Sequence, residues 1–155
     1  MVYISRFRYH PVGCKIDAHA IRLHDNVVHK LEALLRSLGL AVSLEPIHLF
    51  ANFESDDNRR PDIIIHNPYG GGPQIIVDVA VNGVNRQARR SGLDTDQPLH
   101  YRFNQKKAKY AQAAQDHGLS FVPAIFLHTG HIHQAILDLM CNQIKLRLDL
   151  TDPQA

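Results

Sequence analysis

A chain of 155 residues has the length of one domain, and a 45% hydrophobic share without low-complexity tracts argues for a packed core and against disorder. No run approaches the roughly 18 consecutive apolar residues of a membrane span, and the N-terminal stretch MVYISRFRYHPVGCK lacks a signal peptide's apolar centre and small-residue cleavage site. Two cysteines, Cys14 and Cys141, are too few for a disulfide framework, and a net charge of +2 does not by itself announce a nucleic-acid binder; an intracellular protein with free thiols and no membrane partner is expected.

Residues 1–16 have little periodicity and read as an irregular arm or short edge strand ahead of one domain spanning 1–155. Asp17 then caps a helix whose apolar positions Val27, Val28, Leu31, Leu34, Leu35 and Leu38 recur at three- and four-residue spacing, with Gly39 as its stop. His24 precedes Val27 and Val28 by three and four residues, so its imidazole joins the apolar stripe and points at the core or at a site. Leu40–Leu44 reads as a strand ending near Glu45, which Pro46 should push to extended geometry. Ile47–Phe53 extends it or begins another piece, and the polar run 54–60 is a loop.

The stretch RRPDIIIHNPYGGGPQIIVDVAV, residues 59–81, organises the chain. Two apolar runs, Ile63–Ile65 and Ile75–Val81, flank a segment of Asn, Pro and Gly that can continue neither, so a hairpin is predicted. Folded about Gly70, it sets Ile64 against Ile76 and Asp62 against Asp78. Like charges so opposed repel, and a divalent cation held by both carboxylates offsets the repulsion. Asp62 alone also fits a solvated residue at a strand entrance. Asp78 does not, because it interrupts a run that reads as buried on both faces, where carboxylates are almost never left unpaired.

Beyond the Asn82-Gly83 turn no strong periodicity appears until Phe103, and a basic loop or lid is expected. Arg86, Arg89, Arg90 and Arg102, followed by Lys106, Lys107 and Lys109, read either as a solvated face or as a surface for phosphates. Phe103–His117 is a helix stopped by Gly118, with Phe103, Lys107, Tyr110 and Ala114 on one stripe. Leu119–Leu127 is a strand whose Pro123 suggests an edge or bulge. His131–Leu148 closes the chain as a helix with Ile132, Ala135, Ile136, Leu139, Met140, Ile144 and Leu148 in register. The class is α/β: a small mixed sheet with helices on both faces.

A metal on two carboxylates, with a lysine to orient or deprotonate water, suits phosphodiester hydrolysis. The Val79 carbonyl, next to Asp78, can complete the metal shell. Two residues after Asp78 stands Ala80, which cannot serve, so the lysine must come from the following helix. The spacing of Cys14, His19, His24 and His29 does not line one helical face, His128, His131 and His133 flank a turn at Gly130, and Gly70–Gly72 lacks the Lys-Ser/Thr of a phosphate loop.

Pro61-Asp62, Asp78 in an apolar strand and Lys106, Lys109 and Tyr110 in a helix resemble the PD-(D/E)xK nuclease superfamily in its migrated-lysine form. More narrowly, the chain is similar to the restriction-enzyme-like endonuclease domain of site-specific non-LTR retrotransposons, related to archaeal Holliday junction resolvases; His24-Asp25 after Arg22 matches that group's helical His-Asp pair. The resolvase glutamate early in the first helix is absent; His24 or Asp25 stands nearest in position, with Glu32 or Glu45 only a distant substitute. The resemblance, over residues 20–130, implies a restriction-endonuclease-like core and a Mg²⁺- or Mn²⁺-dependent DNA endonuclease. Asp62, Asp78 and Val79 would hold the metal, Lys106 or Lys109 would act on water, Tyr110 and His24 would support the site, and Arg86, Arg89, Arg90 and Lys107 would contact DNA. It also implies a possible homodimer, a nuclear location if the chain is of retrotransposon origin, and as the alternative a catalytically inactive nuclease-fold DNA-binding module.

Overall fold

The computed structural model describes residues 15–45, 61–82 and 96–151, which form three helices and a four-stranded sheet. In chain order these are α1 (Lys15–Ser37), β1 (Val42–Leu44), β2 (Ile63–Ile65), β3 (Ile75–Asn82), α2 (Asp96–Asp116), β4 (Ser120–Leu127) and α3 (Gln134–Thr151). The strands stand side by side as β1-β2-β3-β4. β1 and β2 each pair antiparallel with the next strand, while β4 returns parallel to β3 after the α2 crossover. The α/β class and the small mixed sheet are therefore as expected.

Alternation along the strands divides the core. Ile63, Ile65, Val77 and Val79 join Val28, Leu31 and Leu35 of α1 and Ile136 and Leu139 of α3 in one cluster. Ile64 and Ile76 meet Tyr110, Ala113 and Ala114 of α2, and Ala80 meets Leu99 of the same helix. Both faces of β3 are thus covered, which is why its sequence is almost uniformly apolar.

The hairpin has the predicted register, with Ile64 opposite Ile76 and Ile63 opposite Val77. Its turn is tied down at several points. The Tyr69 hydroxyl donates to the Leu38 carbonyl at 2.7 Å, the Tyr69 N–H to Gln143 Oε1 at 2.7 Å, and the Ala41 N–H to Asn67 Oδ1 at 2.5 Å. Gly39, with φ +83°, ends α1 in the left-handed region, and a Cβ there would lie 2.6 Å from the Tyr69 hydroxyl oxygen. Gly39→Ala is therefore expected to cost at least about 1 kcal/mol, from the backbone penalty and the displaced tyrosine, measurable by urea unfolding.

Several boundaries differ from the sequence reading. α2 begins at Asp96, not Phe103, because Pro98 falls in the first turn, where no N–H acceptor is needed. Arg102 consequently lies on the helix and not in a loop. α3 begins at Gln134 and not His131: the chain first makes a Phe126–Ile132 bridge, and His133 Nδ1 accepts the Ala135 N–H at 3.1 Å as a cap. The inward face of α3 carries Ile136, Leu139 and Gln143, whereas Ile132, Ile144 and Leu148 are exposed. Leu34 of α1 is exposed as well, and so is Lys107 of α2, which leaves the stripe expected to be shared with Phe103 and Tyr110. β1 does end at Leu44, but Glu45 takes φ +42° and not an extended conformation, while its N–H donates to the Asp62 carbonyl at 2.9 Å. That bond fixes a backbone turn which sterics before proline disfavour. β4 sits at the sheet edge, as Pro123 suggested. Residues 1–14, the Ile47–Phe53 segment, the 54–60 loop and Gly83 lie outside the described residues. Among the described residues no helix is long and apolar enough to cross a membrane.

Candidate active site

The acid at the centre of β3 is buried by its surroundings. Ile76, Asp78 and Ala80 project from the same face of β3, beneath α2, and Asp78 keeps only 3% of its surface exposed. A carboxylate in that position needs a counter-charge. Lys106 supplies it, one turn before the buried Tyr110, by an ion pair between its Nζ and Asp78 Oδ2. The Tyr110 hydroxyl hydrogen-bonds the same carboxylate. Asp78 Oδ2 is a buried oxygen that faces the Lys106 ammonium as an ion pair and has no other partner among the described residues. Burial pushes the Asp78 carboxyl above its usual range; Lys106 opposes this, the Asp62 charge adds to it, and the Tyr110 hydrogen bond opposes it.

Asp62 reaches the site from the other strand. β2 begins at Ile63, and the Asp62 N–H donates to the carbonyl of Val77, the residue that Ile63 already faces, at 3.1 Å. The ladder slips by one residue at this end. The Val79 N–H has no β2 partner opposite it and donates instead to Asp62 Oδ2, at 2.6 Å. A strand residue's N–H and carbonyl leave on the same side, so the Val79 carbonyl leaves β3 on the Asp62 side. Asp62 and Asp78 therefore do not form the cross-strand pair expected from the sequence; Asp62 is fixed instead by this side-chain-to-backbone bond to the residue after Asp78, and its charge acts on the Asp78 carboxyl.

His24 of α1 completes this edge. Its Nε2 stands 3.4 Å from Asp62 Oδ2 and its Nδ1 3.2 Å from Asp25 Oδ1. The hydrogen bond to Asp62, with further help from both acids against the opposing effect of burial, raises its pKa to about 9. Both ring nitrogens thus face carboxylates, and the imidazole ties Asp62 to α1. Its folded pKa lies above the unfolded value, so its contribution to stability is complete below pH ~6.5 and is lost as pH rises through ~9. Because the imidazole is about one-third exposed, solvent screening reduces the effect to about 1 kcal/mol. Urea midpoints should fall between pH 7 and 9.5 in the parent and remain flat in His24→Gln.

The predicted residues thus form two groups, Asp78 with Lys106 and Tyr110 beneath α2 and Asp62 with His24 and the Val79 N–H at the strand end, with the Asp62 charge felt at Asp78. Lys109 is exposed, with its Nζ 5.3 Å from the Tyr110 ring centroid, while the Lys106 Nζ stands 5.9 Å from it. Arg86, Arg89 and Arg90 lie outside the described residues. The contact that sequence reasoning missed is the bond from the Val79 N–H to Asp62. Its signal is the mismatch between the short apolar run Ile63–Ile65 and the long run Ile75–Val81, which leaves part of β3 without a β2 partner.

Among the described residues no three His, Cys, Asp or Glu side chains are grouped to hold a metal ion. Two carboxylates and a backbone carbonyl nevertheless fit the habit of Mg²⁺, which takes few protein ligands and fills its shell with water and substrate phosphate. The buried Asp78 Oδ2, which among the described residues faces only the Lys106 ammonium, is the atom such an ion would meet. No protein-family model matches the sequence, and no curated protein matches it.

Proposed function

We propose that the chain is a divalent-metal-dependent endodeoxyribonuclease built on a restriction-endonuclease-like core, a relative of the PD-(D/E)xK enzymes. The observation that carries this reading is the ion pair of a buried strand acid, Asp78, with the helix lysine Lys106, within the electrostatic reach of the acid Asp62 at the adjacent strand end. When bound, Mg²⁺ or Mn²⁺ would neutralise charge on the phosphate and lower the pKa of a water. Asp62, Asp78 and the Val79 carbonyl would hold it. The chain's own residues do the rest: Tyr110 fixes one face of the Asp78 carboxylate, His24 and the Val79 N–H hold Asp62 in place, and Lys106 presents an ammonium that can orient the attacking water or a phosphate oxygen. Lys109, Lys107 and the arginines Arg86, Arg89 and Arg90 are the proposed contacts for the DNA backbone. Cutting both strands with one site per chain calls for two copies, so a homodimer is the proposed working form.

A second reading, a DNA-binding module without catalysis, is favoured by one feature: each carboxylate already faces a cation of the chain, His24 at Asp62 and Lys106 at Asp78. Incubation of supercoiled plasmid and of branched DNA with Mg²⁺ or Mn²⁺ separates the two. The nuclease reading expects nicking that grows with time and stops with a chelator. Salt-sensitive binding without nicking under either ion would favour the module.

A further inference from the structure

The pairing of Lys106 with Asp78 bears on how the cation site is filled. Asp78 is 4% exposed in its side chain and Lys106 18%, so the carboxylate is sealed while the ammonium borders water. Lys106 is also the mobile member of the pair, on a four-carbon stem with several rotatable bonds. In the same position its Nζ stands 5.9 Å from the centroid of the Tyr110 ring, so it stays within the range of cation–π attraction as it leaves the carboxylate. A divalent ion on Asp78 Oδ2 would face a like charge on the same oxygen, and the two cannot share it.

We infer that Lys106 is a built-in competitor for the divalent-cation seat: its ammonium holds Asp78 in the empty site, and loading of the metal drives the lysine off that carboxylate and outward, where it meets the substrate phosphate. The inference rests on the proposed cation site and adds to it the expectation that the metal binds weakly in the absence of DNA. It also assigns Lys106 two successive partners, a carboxylate before loading and a phosphate after it. Competition of this kind is reciprocal, so whatever stabilises the lysine in its outward position tightens the metal.

Calorimetric titration of the full chain with MnCl₂ at fixed ionic strength tests this in the parent, Lys106→Gln and Lys106→Arg. Lys106→Gln is expected to bind Mn²⁺ about 5- to 150-fold more tightly than the parent, the usual span of coupling between two ligands, whereas Lys106→Arg, which keeps the charge, stays near the parent. Saturable binding seen only in Lys106→Gln supports the inference equally. The parent supplies a second readout that needs no variant: acetylation of Lys106 by acetic anhydride, followed by peptide mass spectrometry, should rise with Mn²⁺ relative to Lys107 and Lys109. Equal affinity in parent and Lys106→Gln overturns the inference while leaving the cation site standing. Tighter binding by both variants traces the effect to shape and overturns it too, as does Lys106 acetylation unchanged at saturating Mn²⁺. Absence of saturable Mn²⁺ binding in every form overturns both the inference and the proposed metal dependence.

Discussion

Asp78→Asn is expected to lose DNA cleavage by at least about a hundredfold, the scale set by removing one group that stabilises transition-state charge, while the protein remains as stable as the parent. The two halves of that expectation have one cause. At neutral pH the carboxylate sits in a place that burial makes unfavourable for charge, with Lys106 and Tyr110 as partial compensation. An amide of the same shape removes the charge and can still accept from the Tyr110 hydroxyl. Stranding the opposite member of a buried ion pair is normally costly. Lys106 avoids this because it is 18% exposed and can turn its ammonium to water. The thermal midpoint should therefore stay within about 3 °C of the parent, which for a chain of this size is roughly 1 kcal/mol. Asp78 would then be a residue kept for chemistry at no gain in stability.

The largest effect on stability is expected at Leu35→Ala. Leu35 is 0% exposed and belongs to the cluster that joins α1 to β2, β3 and α3. Truncation loses its transfer energy and leaves a cavity between a helix and a sheet that cannot close together, at a cost of about 2–5 kcal/mol. The thermal midpoint should fall by roughly 5–15 °C. Leu35 and His24 lie about three turns apart on the same side of α1, within ~20° in projection, so the stripe that buries Leu35 also aims the imidazole at Asp62. Leu34→Ala, one position along but 44% exposed, should change stability by no more than about 0.5 kcal/mol. Urea unfolding of the two variants side by side separates packing from helix propensity.

The hairpin was legible because its signals are local. Two β-branched runs and a Gly-Pro-Asn turn define both strands and their register, and Ile64 does face Ile76. The helix lysine was legible by elimination, since Ala80 cannot supply an ammonium, and Lys106 is the lysine that reaches Asp78. The slip at Asp62 was not legible, because it depends on where β2 stops pairing, which is settled by the neighbouring strands and not by residues 61–65. The start of α2 was obscured by Pro98, a residue that breaks a helix interior but suits its first turn. The face of α3 was misjudged for a tertiary reason. Gln143 faces inward and accepts from the Tyr69 N–H at the hairpin turn, while Ile144 and Leu148 stay outside. Glu45 shows the same limit, for its left-handed backbone is held by a bond to Asp62 from another strand. At Asp62, α3 and Glu45 propensity yielded to a partner distant in sequence, whereas the start of α2 turned on the local position of Pro98.

Asp62 and Asp78 together are proposed to form a seat for one divalent cation. Anomalous diffraction from crystals soaked in Mn²⁺ tests it most directly. The expected result is a single strong peak within about 2.6 Å of oxygens from both carboxylates, with the Lys106 ammonium no longer on Asp78. Carboxylates lying more than about 10 Å apart, too far to share one ion, or a peak elsewhere with Lys106 still paired to Asp78, would contradict it.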